Sequence, residues 1–134
     1  MGIGVRSGGA SAYQSVAAWT SVGVDDPRRL VVMLYDGALD RIRQARGCAE
    51  HGMAGEKSVA IGRAIAILDE LRGSLDFEKG GPLAANLEDL YSYASRRLLA
   101  ASATGDVRIL DEVAALLREL REAWAAIAAA TTAP

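Results

Sequence analysis

Apolar residues recur at spacings of three and four positions along most of this chain, and glycine or proline interrupts the pattern at intervals. That spacing places apolar side chains on one face of an α-helix. No stretch alternates apolar and polar residues for long enough to predict a β-strand. Alanine and leucine, which are strong helix formers, are abundant, whereas aromatic residues make up only 5% of the composition. The pattern therefore predicts an all-α protein.

Four helices are predicted between the interruptions. Aspartate caps helix N-termini and proline suits the first helical turn, so Asp25-Asp26-Pro27 and Pro82 mark helix starts. Glycine ends helices because it tolerates a left-handed backbone. In chain order, the predicted helices run from Pro27 to Gly52, from about Glu56 to Leu75, from Pro82 to Gly105, and from Asp106 onward.

Short loops and one apolar stripe per helix predict an antiparallel four-helix bundle. We expect this bundle to span residues 26–130 as one domain, since a chain of 134 residues suits a single core. Residues 1–25 are rich in glycine and serine and are predicted to be a flexible N-terminal segment. Within that segment, the apolar patch from Ala12 to Trp19 is long enough for only a short extra helix.

Composition excludes several classes of function. The only cysteine, Cys48, and the only histidine, His51, exclude a cysteine-based zinc site, any site that needs two imidazoles and the dinuclear metal site of a bundle core. The net charge of −2 shows no basic surplus of the kind that nucleic-acid binders carry. The longest apolar run, Ala123 to Ala130, is far below the roughly 20 residues that span a bilayer. We therefore expect a soluble cytoplasmic protein with no metal, no cofactor, no nucleic acid and no membrane insertion.

The side chains of Cys48 and His51 suggest no chemistry of their own. Cys48 is expected to be a small, partly buried residue, and His51 a solvated residue at a helix end. Nothing else in the sequence assembles a nucleophile, a base and an orienting acid. The sequence therefore favours a binding protein over an enzyme.

The second helix carries more apolar surface than a bundle core requires. Ile61, Ile65 and Leu68 form one stripe, and Ile67 and Leu71 widen it. A helix of a four-helix bundle needs only about three apolar positions in seven. The surplus predicts that this surface either covers the N-terminal patch or forms a groove for a partner helix.

An ordered series of short motifs runs through the chain. They are, in order, Ala12-Tyr13-Gln14, Met33-Leu34-Tyr35-Asp36-Gly37-Ala38-Leu39, Leu75-Asp76-Phe77-Glu78-Lys79-Gly80-Gly81, Asn86-Leu87, Leu90-Tyr91-Ser92-Tyr93, Arg96-Arg97-Leu98, Glu112-Val113 and Glu122-Ala123-Trp124. Their combination closely resembles the flagellar secretion chaperone family, FliS, from Ala12 to about Trp124. Any one of these strings is weak evidence for the family, whereas their combined order and spacing are highly specific for it.

The resemblance implies a cytoplasmic, all-helical export chaperone that is not an enzyme. Such a chaperone binds the C-terminal segment of flagellin, prevents premature polymerisation and delivers it to the export gate of the flagellar type III apparatus. Tyr13 matches a tyrosine that the family links to an N-terminal cap and to the export gate. Asn86 and Tyr91 match positions in the third helix, and Tyr35 matches an aromatic position for which core packing is expected. The expected state is a monomer or a weak homodimer.

These considerations give a set of predicted partner-binding residues. The set is Tyr13, Ile61, Ile65, Leu68, Leu71, Asn86, Leu90, Tyr91 and Leu117. Three other hypotheses fit a helical bundle: a regulator that sequesters a different amphipathic helix, a phosphotransfer module that uses His51, and a self-assembling dimer.

Overall fold

A computed structural model describes residues 27–132 of the chain, and side chains as far as residue 129. Over that range the regular structure is entirely α-helical, in four helices. They are α1 (Pro27–Glu50), α2 (Ala54–Gly73), α3 (Phe77–Thr104) and α4 (Val107–Thr132). The predicted all-α helical bundle is confirmed. The predicted N-terminal segment and Tyr13 lie outside the described residues.

Each helix packs against two neighbours in an up-down-up-down arrangement. α1 contacts α2 and α4, and α3 contacts the same two helices from the other side. The loops joining successive helices are two or three residues long, which forces neighbours to run antiparallel. α1 and α3 therefore face each other across one diagonal of the bundle.

Two ion pairs set the register between α1 and α4. The Nε atom of Arg121 lies 2.7 Å from Oδ1 of Asp36, and Nε of Arg46 lies 2.7 Å from Oδ1 of Asp111. The two α1 residues are ten positions apart, and so are their partners on α4, in reverse order. Exposed pairs of this kind each contribute little stability, roughly 0.2–1 kcal/mol. The equal spacing of the two pairs nevertheless shows that the two helices run antiparallel in a single register.

Polar contacts also connect α3 with both of its neighbours. The Nε–H group of Arg97 donates to Oε1 of Glu112 on α4 at 2.9 Å. On the other side, the hydroxyls of Ser58 in α2 and Ser102 in α3 are hydrogen-bonded at 3.1 Å. Both contacts lie on the surface of the bundle.

The core is built from the predicted apolar stripes. Alanines such as Ala38, Ala64 and Ala94 are completely buried and allow the helix backbones to approach closely. Larger side chains fill the space between them. The largest fully buried residues are Tyr35, Tyr91, Ile61, Leu68, Leu71, Leu98, Leu110, Leu117 and Val113.

Lys57 is a charged residue that the fold nevertheless buries. Only 8% of Lys57 is exposed, and its ammonium lies near the end of α3, where a Cβ added to Gly105 would be 3.6 Å from Nζ. The aliphatic stem packs against apolar surface. The carbonyl groups at a helix C-terminus attract a cation, so this position suits the ammonium.

The start of α3 differs from the prediction. One helical turn, Phe77–Gly80, precedes the predicted start at Pro82, because Oδ1 of Asp76 accepts a hydrogen bond from the backbone N–H of Lys79 at 3.0 Å and caps that turn. The predicted break then occurs at Gly81, whose φ of 49° and ψ of −127° are not helical. Glycine tolerates this backbone conformation because it has no Cβ.

The end of α2 also differs slightly from the prediction. The helix ends at Gly73 rather than at Leu75. The hydroxyl of Ser74 donates to the carbonyl oxygen of Leu71 at 2.8 Å and satisfies one of the last carbonyl groups. The serine therefore closes the helix before the predicted boundary.

Two adjacent leucines test the importance of core packing. Leu98 is completely buried and Leu99 is 59% exposed. We expect Leu98→Ala to lower the free energy of unfolding by about 2–5 kcal/mol, since it leaves a cavity. Leu99→Ala, the matched control, should change it by no more than about 0.5 kcal/mol. Urea denaturation followed by circular dichroism measures both, and equal losses would contradict the assignment of the core.

The break at Gly81 can be tested with a second pair of variants. Gly81→Ala places a Cβ on a non-helical, positive-φ backbone and should destabilise the fold by about 1–3 kcal/mol. Gly62→Ala is the control, because a Cβ there meets nothing within 4 Å in the interior of α2. It should stabilise the fold by up to about 1 kcal/mol. Thermal unfolding would refute the analysis if both variants moved the midpoint in the same direction.

Candidate partner-binding groove

A groove of about 450 Å³ lies at one end of the bundle. There the N-terminal end of α1 meets the C-terminal end of α2, the first turns of α3 and the C-terminal half of α4. Its apolar lining consists of Pro27, Val31, Leu71, Leu75, Leu83, Ala84, Leu87, Tyr91 and Trp124. We refer to this feature as the Pro27-end groove.

Apolar surface continues beyond the groove itself. Leu83 lines the groove and is 60% exposed. Phe77, on the turn before it, and Ile127, one turn beyond Trp124, are also large exposed apolar residues. Exposed apolar side chains on the helices that line a groove are typical of a binding surface on a protein.

Charged groups lie among the lining residues without filling the groove. Arg28, Asp76 and Lys79 contribute to the lining, and all three are exposed. One carboxylate and two cations together carry only a small positive net charge. The groove therefore has the chemistry of an apolar binding site with a polar rim.

A pair of tyrosines lies beneath the groove. The hydroxyl oxygens of Tyr35 in α1 and Tyr91 in α3 are 2.5 Å apart, a hydrogen bond across the diagonal of the bundle. The two ring centroids are 6.3 Å apart with a tilt of 51°. Tyr35 is completely buried and Tyr91 nearly so, yet Tyr91 also forms part of the groove lining.

Burial keeps both tyrosines protonated. It is the main reason that the pKa of Tyr91 is raised to about 12, although the hydrogen bond with Tyr35 acts in the opposite direction. Burial also raises the pKa of Tyr35, and the neighbouring Tyr91 adds to the rise. Both hydroxyls therefore remain neutral and able to donate hydrogen bonds at physiological pH.

Trp124 connects the tyrosine pair to the groove surface. Its side chain is half-buried and lines the groove, and its proximity to Tyr35 slightly opposes the rise in the pKa of that residue. An indole ring carries one N–H donor and no acceptor. The indole of Trp124 at the groove wall and the hydroxyls of Tyr35 and Tyr91 beneath it are therefore three polar groups at one site of the bundle.

The predicted partner-binding residues separate into several groups. Leu71 and Tyr91 line the Pro27-end groove, although each exposes at most 2% of its surface. Ile65 and Leu90 are half-buried and Asn86 is exposed, and all three lie outside the groove lining. These three are accessible to a partner that extends beyond the groove.

Three other members of the predicted set are fully buried in the core. Ile61, Leu68 and Leu117 are each at most 1% exposed. Their contact with a partner stays a prediction that requires the bundle to open locally. Tyr35, for which core packing was expected, is also in the core.

The predicted set omitted two accessible apolar residues of the lining. Leu83 and Trp124 follow the apolar stripes of their helices and looked like core residues. The signal for Leu83 was its place directly after Gly80-Gly81 and Pro82, because a backbone break at the end of a bundle leaves the next turn incompletely covered. No comparable local signal marks Trp124.

Two other surface cavities have different chemistry. One, of about 480 Å³, lies beside Cys48, His51 and Met53 at the opposite end of the bundle. His51 is exposed, as predicted, and its Nδ1–H group donates to the carbonyl oxygen of Gly47 at 2.8 Å. The other, of about 540 Å³, lies between α1 and α4 and is rich in charged residues.

Residues 27–132 contain no candidate metal site made of histidine, cysteine, aspartate and glutamate, and no candidate membrane-spanning helix. In that range no group of three or more histidine, cysteine, aspartate or glutamate side chains could hold a metal ion. None of the described helices is both long enough and apolar enough to span a membrane.

Comparison with known proteins places the chain in a family. The family described as flagellar protein FliS matches residues 9–131. The chain belongs to the FliS family. The matched region includes α1, α2 and α3, α4 as far as residue 131, and every residue that lines the Pro27-end groove.

Individual FliS relatives are similar over most of their length. The flagellar secretion chaperone FliSB of Pseudomonas aeruginosa is 45% identical over 112 residues, which is 84% of this chain and 89% of the relative. The flagellar secretion chaperone FliS of Salmonella typhimurium is 41% identical over 117 residues, covering 87% of each chain. The Bacillus subtilis protein of the same name is 32% identical over 114 residues, covering 85% of this chain and 81% of the relative.

The tyrosine pair of this FliS-family chain predicts a loss of stability at high pH. An unfolded tyrosine ionises near pH 10, whereas Tyr91 holds its proton to about pH 12. Above pH 10 the unfolded state therefore binds fewer protons than the folded state, so stability that is fully present below pH 10 falls as the pH rises. For Tyr91 alone, a difference of two pKa units corresponds to about 2.7 kcal/mol.

Urea denaturation between pH 8 and pH 11 measures this loss. The double variant Tyr35→Phe/Tyr91→Phe should lose distinctly less stability over the interval than the unchanged protein. The control Tyr93→Phe alters an exposed tyrosine and should retain the steep decline. Identical pH profiles for all three proteins would contradict the assignment.

Proposed function

We propose that this chain is a cytoplasmic export chaperone that binds the C-terminal segment of flagellin in the Pro27-end groove. It prevents premature polymerisation of flagellin and delivers it to the export gate of the flagellar type III apparatus. The activity is binding, without catalysis or a cofactor. The observation that carries the proposal is the apolar groove, with its exposed Leu83, on a bundle whose relatives are named flagellar secretion chaperones.

The groove suits an amphipathic helical segment. Helix-in-groove binding needs a preformed apolar cleft that accepts side chains at spacings of three and four residues. A groove of about 450 Å³ holds a few such side chains, and Phe77 and Ile127 extend the apolar surface outside it. A partner that covers this surface conceals its own apolar face, which would otherwise promote self-association.

A partner that folds on binding also allows release. A disordered segment loses conformational entropy when it becomes ordered on the bundle, so its affinity is lower than the buried area alone suggests. Moderate affinity is what a delivery role requires, because the cargo must leave at the export apparatus.

The remaining predicted contacts belong to the same proposal. Ile65, Asn86 and Leu90 serve a partner that continues from the groove along α2 and α3. Residues 1–25, including Tyr13, cover the groove when flagellin is absent. Support for this cap comes from connectivity, since the segment joins the bundle at Pro27, which itself lines the groove.

Calorimetric titration with the C-terminal segment of flagellin from the same organism tests the proposal. We expect one-to-one binding with a negative heat-capacity change, the signature of apolar burial. Leu83→Asp should weaken binding at least tenfold, because a carboxylate would be buried without a partner. Leu99→Asp is the matched control, since Leu99 lies on the same helix with 59% exposure against 60% for Leu83, but outside the groove.

Three outcomes would count against the proposal. If the folded wild-type chain does not bind, flagellin is the wrong partner, and another amphipathic helix becomes the candidate. If both aspartate variants weaken binding equally, the contact surface lies outside the groove. If binding shows concentration-dependent self-association instead of one-to-one complexes, the apolar surface serves a dimer.

A further inference from the structure

The turn between α1 and α2 closes α1 with a Schellman motif. The backbone N–H of Met53 donates to the carbonyl oxygen of Cys48 at 2.8 Å, and the N–H of Gly52 donates to that of Ala49 at 3.4 Å. These two bonds define the motif, and Gly52 has the left-handed backbone that it requires, with a φ of 69°. The motif folds the chain back on the helix, and a contact between the side chains in the places of Met53 and Cys48 commonly accompanies it.

His51 brings an imidazole to the same end of α1. Its backbone N–H donates to the carbonyl oxygen of Gly47 at 3.2 Å, so His51 continues the helical course. Residues three positions apart on a helix are neighbours on its surface, which places His51 beside Cys48. The side chains of Cys48, His51 and Met53 all line the cavity of about 480 Å³ at this end of the bundle.

A second hydrogen bond to Gly47 sets the tautomer of the imidazole. Nδ1 of His51 lies 2.8 Å from the carbonyl oxygen of Gly47. Because a carbonyl can only accept, Nδ1 carries the hydrogen, and Nε2 of the neutral ring keeps its lone pair. Histidines that bind metals almost always have this arrangement, in which one ring nitrogen donates to a carbonyl or carboxylate and the other holds the metal.

The three side chains offer a thiolate, a thioether and an imidazole nitrogen. Soft sulfur ligands select copper(I), and imidazole also binds copper. Zinc is not favoured, since it takes its ligands from cysteine, histidine and carboxylate residues, and no three of these in residues 27–132 are placed to hold a metal ion. Copper(I) and a thiolate together carry no net charge, which suits a cavity whose walls include the apolar Val59 and Ala60.

We propose that Cys48, His51 and Met53 form a binding site for copper(I), in which the ion is held by Sγ, Nε2 and Sδ. Binding releases the proton of the Cys48 thiol to solvent, because the thiolate is the form that binds metals. Met53 is 41% exposed, His51 is exposed and Cys48 is half-buried, so an ion can enter from the surface. The sequence predicted no metal because Cys48 and His51 are only two ligands, whereas the third depends on the turn at Gly52.

The proposed site is independent of the Pro27-end groove, which lies at the opposite end of the bundle. Met53 directly precedes α2, and Cys48 belongs to α1, so a bound ion connects the two helices across their turn. A ligand that binds only the folded state stabilises it. Copper(I) should therefore raise the thermal midpoint of unfolding of this chain.

Competition for copper(I) tests the inference. The reduced full-length chain is titrated, without oxygen, against the copper(I) complex of bicinchoninate, and we expect one ion per chain. Cys48→Ser, His51→Gln and Met53→Leu should each weaken binding at least about tenfold, since even the outer-shell partners of metal sites contribute roughly 10–100-fold. Met33→Leu is the matched control, because it removes a half-buried thioether of α1 that lies outside the cavity.

Two further measurements identify the ligands and check the fold. X-ray absorption at the copper edge should show sulfur and nitrogen neighbours, with less sulfur in Met53→Leu and less nitrogen in His51→Gln. Circular dichroism verifies that each variant is folded. Copper(I) should raise the thermal midpoint of the unchanged chain and of Met33→Leu, but not that of Cys48→Ser.

Three results would overturn the inference. The first is failure of the folded chain to take copper(I) from the chelator. The second is a loss of affinity in Cys48→Ser alone, which would show binding by an ordinary thiol without His51 and Met53. The third is one ion for every two chains, which would show copper bridged between two cysteines. None of these results bears on the binding of flagellin.

Discussion

Burial of four apolar stripes in one shared core is the constraint on which the rest of this structure depends. Each helix is 20–28 residues long, and packing of its apolar face, rather than intrinsic helix propensity, supplies most of its stability. Completely buried alanines such as Ala38 and Ala94 bring the helices close together, and leucines fill the remaining space. The ion pairs on the surface align helices that the core already holds.

The polar pair of Tyr35 and Tyr91 is an exception inside this apolar interior. It links α1 with α3, which do not pack directly against each other, and it lies at the end of the bundle that carries the groove. A hydrogen bond between two buried hydroxyls requires a narrow range of distance and angle. The floor of the groove is therefore held in a defined position, while its rim is made of exposed side chains such as Leu83.

The sequence predicted the helices well but did not separate buried from exposed apolar residues, for a physical reason. Periodicity gives the angular position of a side chain on its helix, and the caps at Asp76 and Asp106 and the break at Gly81 can be recognised locally. Periodicity does not show which neighbouring helix covers that position. Leu83 and Leu87 are one turn apart on α3, yet they are 60% and 6% exposed. The bond between Tyr35 and Tyr91 joins residues 56 positions apart, and no local pattern encodes such a contact.

The break at Gly81 gives the groove a wall that can open by itself. Lys79 and Gly80 line the groove, and they belong to a single turn separated from the body of α3 by a non-helical residue and by a proline that has no backbone N–H. Such a turn unfolds locally at a lower free energy than the helices behind it, and its amide hydrogens exchange with solvent sooner. The non-helical Gly81 thus makes this turn of the groove wall structurally separate from the four-helix core behind it.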